Sequence, residues 1–303
     1  MRFQMDHLHA LVAVLEEGTF EAAARRLRVT ASAVSQRIKA MEQIAGQVLV
    51  QRVTPVTTTA AGDVVLRYAR QMQLLEADTT RALDDDLLHS GKRSIALAVN
   101  ADSLATWFLE ALAALPPRVD VVFTISREDQ EHTTNLLRAG TVMAAVTSTP
   151  EPVQGCRSEK LGIMRYRAVC SPGFRDRWLG GIAAPWRLAG VPVVNFDRRD
   201  LLQDDFFRRA VGQDLDTPGQ AAPRHFIPTS ADFARAVALG LGWGLLPEQQ
   251  CLAEIARGDL VELAPAQPVD VPLYWQRWNL DSELLDDVTD AVRSAAATRL
   301  HAL

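Results

Sequence analysis

The chain has 303 residues, a formal net charge of −5, 48% hydrophobic and 23% charged residues. At about 150 residues per domain this length predicts roughly two folding units, three if one is small, and the ordinary composition excludes long disorder and collagen-like repeats. The longest mostly apolar stretch, Leu104 to Leu115, is interrupted by Thr106 and Glu110, so no bilayer-spanning helix is expected. Asp6, His7, His9, Glu16 and Glu17 leave no room for the apolar core of a signal peptide, and a cytoplasmic location is expected. Cys156, Cys170 and Cys251 form no CxxC pair and leave one over under any pairing, which argues against a disulfide framework or a cysteine zinc site.

Leu8, Leu11, Val12 and Leu15 fall at i, i+3, i+4 and i+7, so residues 6–17 read as an amphipathic helix ending at Gly18. Thr19 can cap a short second helix whose Phe20, Ala23, Ala24 and Leu27 share a face, and Thr30 can cap a third running to about Ala45. In the third, Val34, Ile38, Met41 and Ala45 point inward while Ser32, Ser35, Gln36 and Lys39 point out. Gly46 stops it, and Val48–Val50 and Val53–Thr58 read as two short strands around a turn. Residues 19–52 hold six basic groups (Arg25, Arg26, Arg28, Arg37, Lys39 and Arg52) against Glu21 and Glu42. A basic island in an acidic chain suits a local polyanion contact, although a solvated helix face has the same composition.

From Thr59 a helical pattern runs to about Leu88, in which Val65, Tyr68, Met72, Leu75, Thr79 and Ala82 recur at alternating steps of three and four. About thirty residues make a rod roughly 45 Å long. Its single apolar stripe calls for a partner, either a second copy of the chain or its own body. Beyond His89-Ser90-Gly91 strands and helices alternate. Strands are expected at Ile95–Val99, Val119–Ile125, Val142–Thr147, Arg165–Cys170, Val191–Phe196, Arg224–Ile227, Gly244–Leu246 and Val271–Trp275. Helices are expected at Leu104–Leu115, Glu131–Arg138, Asp200–Val211, Ser230–Leu239 and Ser282–Leu300. That alternation defines an α/β body of about 210 residues, enough for two lobes.

A short helix, a three-residue turn and a second helix with a polar outer face make a helix-turn-helix. Ser32, Ser35 and Gln36, near the start of the second helix, suit base edges in the major groove, and Arg37, Lys39 and Arg52 suit phosphates. An ordinary three-helix cluster with a polar face is the alternative. The segment Asn100–Ser103 follows a strand and opens a helix, so its free N–H groups can hold an α-carboxylate, unless Asp102 or Ser103 simply caps the helix. Glu128 and Asp129 sit just past a strand's carboxyl end, where open α/β sheets place ligands, and could hold a cation. A solvated acidic turn reads the same way. Asp197 and Asp200 are weaker candidates, and Ser230 caps its helix or faces the cleft. Gly240-x-Gly-x-Gly follows a helix and precedes a strand, the reverse of a dinucleotide fingerprint. With no nucleophile–base, metal or cofactor constellation, an enzyme is not expected.

The run Thr19-Phe20-Glu21-Ala22-Ala23-Ala24-Arg25-Arg26-Leu27, then Val29 through Glu42 (VTASAVSQRIKAME), resembles the signature of LysR-type transcriptional regulators. Gly46, Val48–Arg52 and Thr59–Gly62 resemble that family's wing and linker. Ala31 stands where proline is frequent. Asn100–Phe108, Glu128–Gln130, Gly240–Pro247 and Tyr274–Trp278 resemble the ArgP/LysG branch, regulators that sense basic amino acids and control amino-acid export. The resemblance implies an α/β protein with an N-terminal all-α winged helix-turn-helix at 1–58, a dimerising linker helix at 59–91 and an effector domain at 92–303. The effector domain would be two-lobed and periplasmic-binding-protein-like, with lobe one at about 92–163 and 269–303 and lobe two at 164–268. It implies DNA contacts from Thr30, Ser32, Ala33, Ser35, Gln36, Arg37, Lys39 and Arg52, and effector contacts from Asn100, Asp102, Ser103, Glu128, Asp129, Thr147, Asp197 and Ser230. The implied partners are promoter DNA, lysine or arginine, a second copy (or a tetramer) and RNA polymerase, with no cofactor, metal or membrane. An inhibitor of replication initiation that binds AT-rich origin DNA, or a regulator of a different effector, are the alternatives.

Overall fold

The computed structural model describes residues 2–83, 93–116, 119, 121–127, 130–216 and 221–302. Helices α1 (Met5–Glu17), α2 (Phe20–Leu27) and α3 (Ala31–Ala45) pack around Leu8, Leu11, Val14, Ala23, Val34, Ile38 and Met41. The two threonine caps form as read: Thr19 Oγ1 accepts the Ala22 N–H at 3.2 Å and Thr30 Oγ1 accepts the Ala33 N–H at 3.1 Å. The wing strands β1 (Val50–Gln51) and β2 (Thr57–Thr58) pair antiparallel and are shorter than expected. Val56 is drawn out of the ladder because its N–H donates to the Gly18 carbonyl at 2.8 Å.

Helix α4 (Ala60–Leu83) begins as expected, and the rest of the expected helix, 84–88, lies outside the described residues. Its first turn crosses the wing so closely that a Cβ on Gly62 would lie 1.9 Å from the Leu49 carbonyl oxygen, which only glycine avoids. The six-residue stripe divides once direction is known. Val65, with Leu66 and Ala69, is buried in the core of α1–α3, so Val65 is covered by its own chain and is corrected out of a free seam. Met72 packs at the edge of that core, and Leu74 is buried with the α/β body. Tyr68 is exposed beside Phe3, Leu75 is half-buried, Thr79 is exposed, and Ala82 belongs to the helix. The stripe's step pattern fixes spacing but not the direction from which each position is covered. Two arginines on this helix hold the α/β body, Arg67 to the Gln154 carbonyl at 2.9 Å and Arg70 to the Gly140 carbonyl at 2.6 Å.

The α/β body is built on one seven-stranded sheet in the order β10-β6-β11-β5-β3-β4, with β9 also paired to β6. Strands β3 (Arg93–Val99), β4 (Val121–Arg127) and β5 (Ala144–Thr147) are parallel. The long antiparallel strands β6 (Cys156–Cys170) and β11 (Val269–Trp278) run from this first lobe into the second. There β9 (Gly244–Pro247), β10 (Val261–Glu262) and the parallel pair β7 (Val193–Asn195) and β8 (Arg224–Phe226) complete the framework. Lobe one carries α5 (Ala101–Ser103), a π turn at Leu104–Phe108, α6 (Leu109–Ala113), α7 (Gln130–Arg138) and α12 (Glu283–Arg299). Lobe two carries α8 (Pro172–Trp178), α9 (Leu202–Val211), α10 (Ser230–Ala238) and α11 (Glu248–Arg257). Strand β6 extends nine residues earlier than Arg165, because polar residues such as Arg157, Glu159 and Lys160 hide a strand that is wet on one side. Helices α8 and α11 were not anticipated.

Candidate DNA interface and interlobe site

On α3, Thr30, Ser32, Gln36 and Lys39 are exposed, Ala33, Ser35 and Arg37 are half-buried, and Val34, Ile38 and Met41 face the core at 0% exposure. The polar residues therefore form an outward face at the helix start, with the core residues fixing its rotation. The Ala33 N–H is occupied by the Thr30 cap, so Ala33 can contribute shape and its methyl group rather than a donor. Arg37 reaches Asp6 at 3.1 Å, an exposed pair that a phosphate can replace at small cost. Arg52 is exposed on the wing, with its guanidinium 5.3 Å from the Phe20 ring centroid. Arg26 is engaged by Glu16 at 2.6 Å and by Glu17 at 3.3 Å.

A second constellation lies where the lobes meet. Asp102, on the first turn after β3, accepts hydrogen bonds from the Tyr166 hydroxyl at 2.8 Å and the Ser230 hydroxyl at 2.6 Å. Tyr166 belongs to β6 and Ser230 opens α10, so one carboxylate ties lobe one to the crossover strand and to lobe two. Gln250 of α11 donates to Ser230 Oγ at 2.9 Å and extends the chain of bonds. Across the cleft, Asp200 accepts the N–H groups of Phe196 at 2.8 Å and Leu202 at 3.1 Å. Burial pushes both carboxyl groups above the usual carboxylate range; hydrogen bonds from Ser230 and Tyr166 pull Asp102 down only in part. The Asp102 charge also raises Asp200. Neither has a cationic partner among the described residues.

The remaining candidates separate. Asn100, not Asp102 or Ser103, caps the helix: its Oδ1 accepts the Ser103 N–H at 2.7 Å. Ser103 is buried, and its hydroxyl has no hydrogen-bond partner among the described residues. Thr229, not Ser230, caps α10, which leaves the Ser230 hydroxyl free to reach Asp102. At this helix start, where an effector α-carboxylate was expected, the Asp102 carboxylate and the Asn100 cap already take the nearby positions. Thr147 is buried at the end of β5 and accepts the Thr149 N–H at 3.1 Å. Asp197 closes its own turn by accepting the N–H groups of Arg199 at 2.7 Å and Asp200 at 3.0 Å. It lines an open cavity of about 490 Å³ on lobe two, where Arg224 pairs with Asp204 and Asp216, Arg208 pairs with Asp214, and the Arg198 guanidinium lies 5.0 Å from the Phe226 ring centroid. Glu128 and Asp129 lie outside the described residues. Sequence reading missed Tyr166, Gln250 and Arg127. Tyr166 and Gln250 sit inside regular elements and carry no local signal, whereas Arg127 could have been noticed as the last residue of a strand pointing at the cleft.

An outward polar helix face beside Arg52 on the wing is thus joined by a long helix to a body whose interlobe cleft holds two half-buried carboxylates. Residues 5–63 match the bacterial regulatory helix-turn-helix protein, lysR family, and residues 89–297 match the LysR substrate binding domain. The chain belongs to the LysR family and is a transcriptional regulator, not an enzyme. It is 43% identical over 298 residues to the lysine export transcriptional regulatory protein LysG of Corynebacterium efficiens, covering 97% of this chain and 98% of that one. The ArgP crystal structure from Mycobacterium tuberculosis superposes with a TM-score of 0.88 at 41% identity over 100% of both chains. Full-length LysG from Corynebacterium glutamicum with bound effector Arg superposes at 0.77 and 38% identity, covering 99% of this chain and 100% of that one. Among the described residues no helix is long and apolar enough to cross a membrane, and no group of three or more His, Cys, Asp or Glu residues could hold a metal.

Proposed function

We propose that this regulator responds to lysine or arginine bound between its lobes and controls a gene for amino-acid export. The observation that carries this reading is the pair of half-buried carboxylates, Asp102 and Asp200, without a cation among the described residues. Partly desolvated negative charge is costly unless it is paired, so the cleft favours a ligand that brings positive charge. Glu128 and Asp129, next in sequence after Arg127, supply further acidic groups for a basic side chain. The relative named for lysine export and the LysG structure with bound arginine support the same chemistry. On the DNA side, Ser32, Ser35 and Gln36 read bases while Arg37, Lys39 and Arg52 hold phosphates. The chain acts as a homodimer, with the exposed part of α4 contributing to the seam, so that two recognition helices meet two half-sites.

The test is calorimetry of the full-length chain against each of the common amino acids. It is paired with footprinting of the promoter of a neighbouring export gene, with and without RNA polymerase. Lysine and arginine should bind and change the footprint, while neutral and acidic amino acids should do neither. Binding of a neutral or aromatic acid alone would remove the basic effector and leave the regulator.

A further inference from the structure

Two oppositely charged side chains stand at one edge of the lobe-one sheet without meeting each other. Strands β3 and β4 are in parallel register with Val99 opposite Arg127, and Asp102 lies three residues beyond Val99 on the first helical turn. Neighbouring strands are about 4.8 Å apart, so the Arg127 backbone and the helix start lie side by side at the carboxyl edge. Asp102 uses one lone pair on each oxygen for Tyr166 and Ser230, both neutral donors, and keeps the others. Arg127 extends toward lobe two, its guanidinium 6.0 Å from the Phe196 ring centroid, and has no carboxylate partner among the described residues.

This arrangement suits the zwitterionic head of a free α-amino acid, whose ammonium and carboxylate hang from a single carbon. The carboxylate is excluded from the helix start by Asp102, by Asp200 nearby and by the Asn100 cap on Ser103. The ammonium is favoured there for the same reason, and a planar guanidinium is the matching partner for the carboxylate. We propose that Asp102 and Arg127 form a head-group clamp, with the effector's α-ammonium on Asp102 and its α-carboxylate on Arg127. This rests on the cleft being the effector site and adds which end of the effector goes where. The clamp reads the head group independently of the side chain. Because Asp102 also holds Ser230 of lobe two, an ammonium arriving there bears on the bond between the lobes.

The test uses the full-length chain and calorimetry with three ligands: L-arginine, agmatine, which lacks the carboxylate, and Nα-acetyl-L-arginine, which lacks the ammonium. Both analogues should bind at least a hundredfold more weakly than arginine. Arg127→Ala should lower arginine affinity at least tenfold and leave agmatine within twofold. Asp102→Asn should lower arginine affinity at least tenfold and leave Nα-acetyl-L-arginine within twofold. The analogue comparison on the unaltered protein stands even where Asp102→Asn compromises folding. Agmatine binding as tightly as arginine, or Arg127→Ala weakening both equally, would overturn the clamp. So would a protein that binds no amino acid. A neutral amino acid that binds in place of lysine and arginine, and loses affinity in Arg127→Ala, would sink the basic effector while supporting the clamp.

Discussion

The outward face of α3 and the interlobe cleft both present charged and polar side chains, and they hold them in opposite ways. On α3, Gln36 and Lys39 are exposed, as is Arg52 on the neighbouring wing, and the exposed Arg37–Asp6 pair is replaceable. In the cleft, Asp102 and Asp200 are half-buried, fixed by hydrogen bonds and without a cationic partner among the described residues. A polyanion with many phosphates is met by cations that stay hydrated until contact, so binding is salt-dependent and tolerant of single losses. The proposed zwitterionic effector would be met by groups already partly desolvated, so its binding should depend on a few atoms.

The comparison breaks first at α4, the element that joins the two regions. Leu75→Asp places a charge on the half-buried part of the stripe and should weaken self-association on the order of 3 kcal/mol, read as monomer by light scattering. A persistent dimer with a lowered melting temperature would show that Leu75, like Val65, serves its own chain. Gln36→Ala should cost about 1–3 kcal/mol on the specific operator and almost nothing on random DNA, measured by competition titration. Equal losses on both DNAs would reduce Gln36 to a positioning contact.

Arg52→Ala should weaken binding to both DNAs and lower the slope of log affinity against log salt by about one. Arginine affinity for the cleft should vary far less with salt, and an equally steep dependence there would erase the distinction between the two sites. The smallest effect concerns pH. A carboxyl group whose folded pKa lies above its unfolded value favours the folded state most at or below the unfolded value of about 4. That contribution is lost as pH rises through the folded pKa. Asp102 is such a group, and Asp102→Asn imitates its protonated form. The melting temperature of the unaltered chain relative to Asp102→Asn should therefore fall as pH is raised above about 4, and added arginine should reverse the fall. A difference that stays flat with pH would mean that Asp102 is ionised throughout.

The DNA-binding domain was legible almost residue by residue, down to the Thr19 and Thr30 caps and the inward set Val34, Ile38 and Met41. The interlobe constellation was legible only as a neighbourhood. Asn100, Asp102 and Ser230 were named, but two caps were assigned to the wrong residues, and Tyr166, Gln250 and Arg127 passed unnoticed. The linker stripe falls between these cases: its spacing was read, but Val65 turned out to face the core of its own chain.

What the sequence determined by itself are the features whose partners lie within a few residues. A cap bonds three positions along, and a helix face repeats every three to four, so both leave a periodic trace in the chain. The cleft leaves no such trace. Asp102 meets Tyr166 across 64 positions and Ser230 across 128, and Arg127 comes beside the helix start only through the register of β3 with β4. Which carboxylate ends up in the cleft, which hydroxyl answers it and which arginine is left without a carboxylate partner among the described residues depend on how strands align and lobes close. Those are contacts between distant segments, so only the tertiary structure decided them.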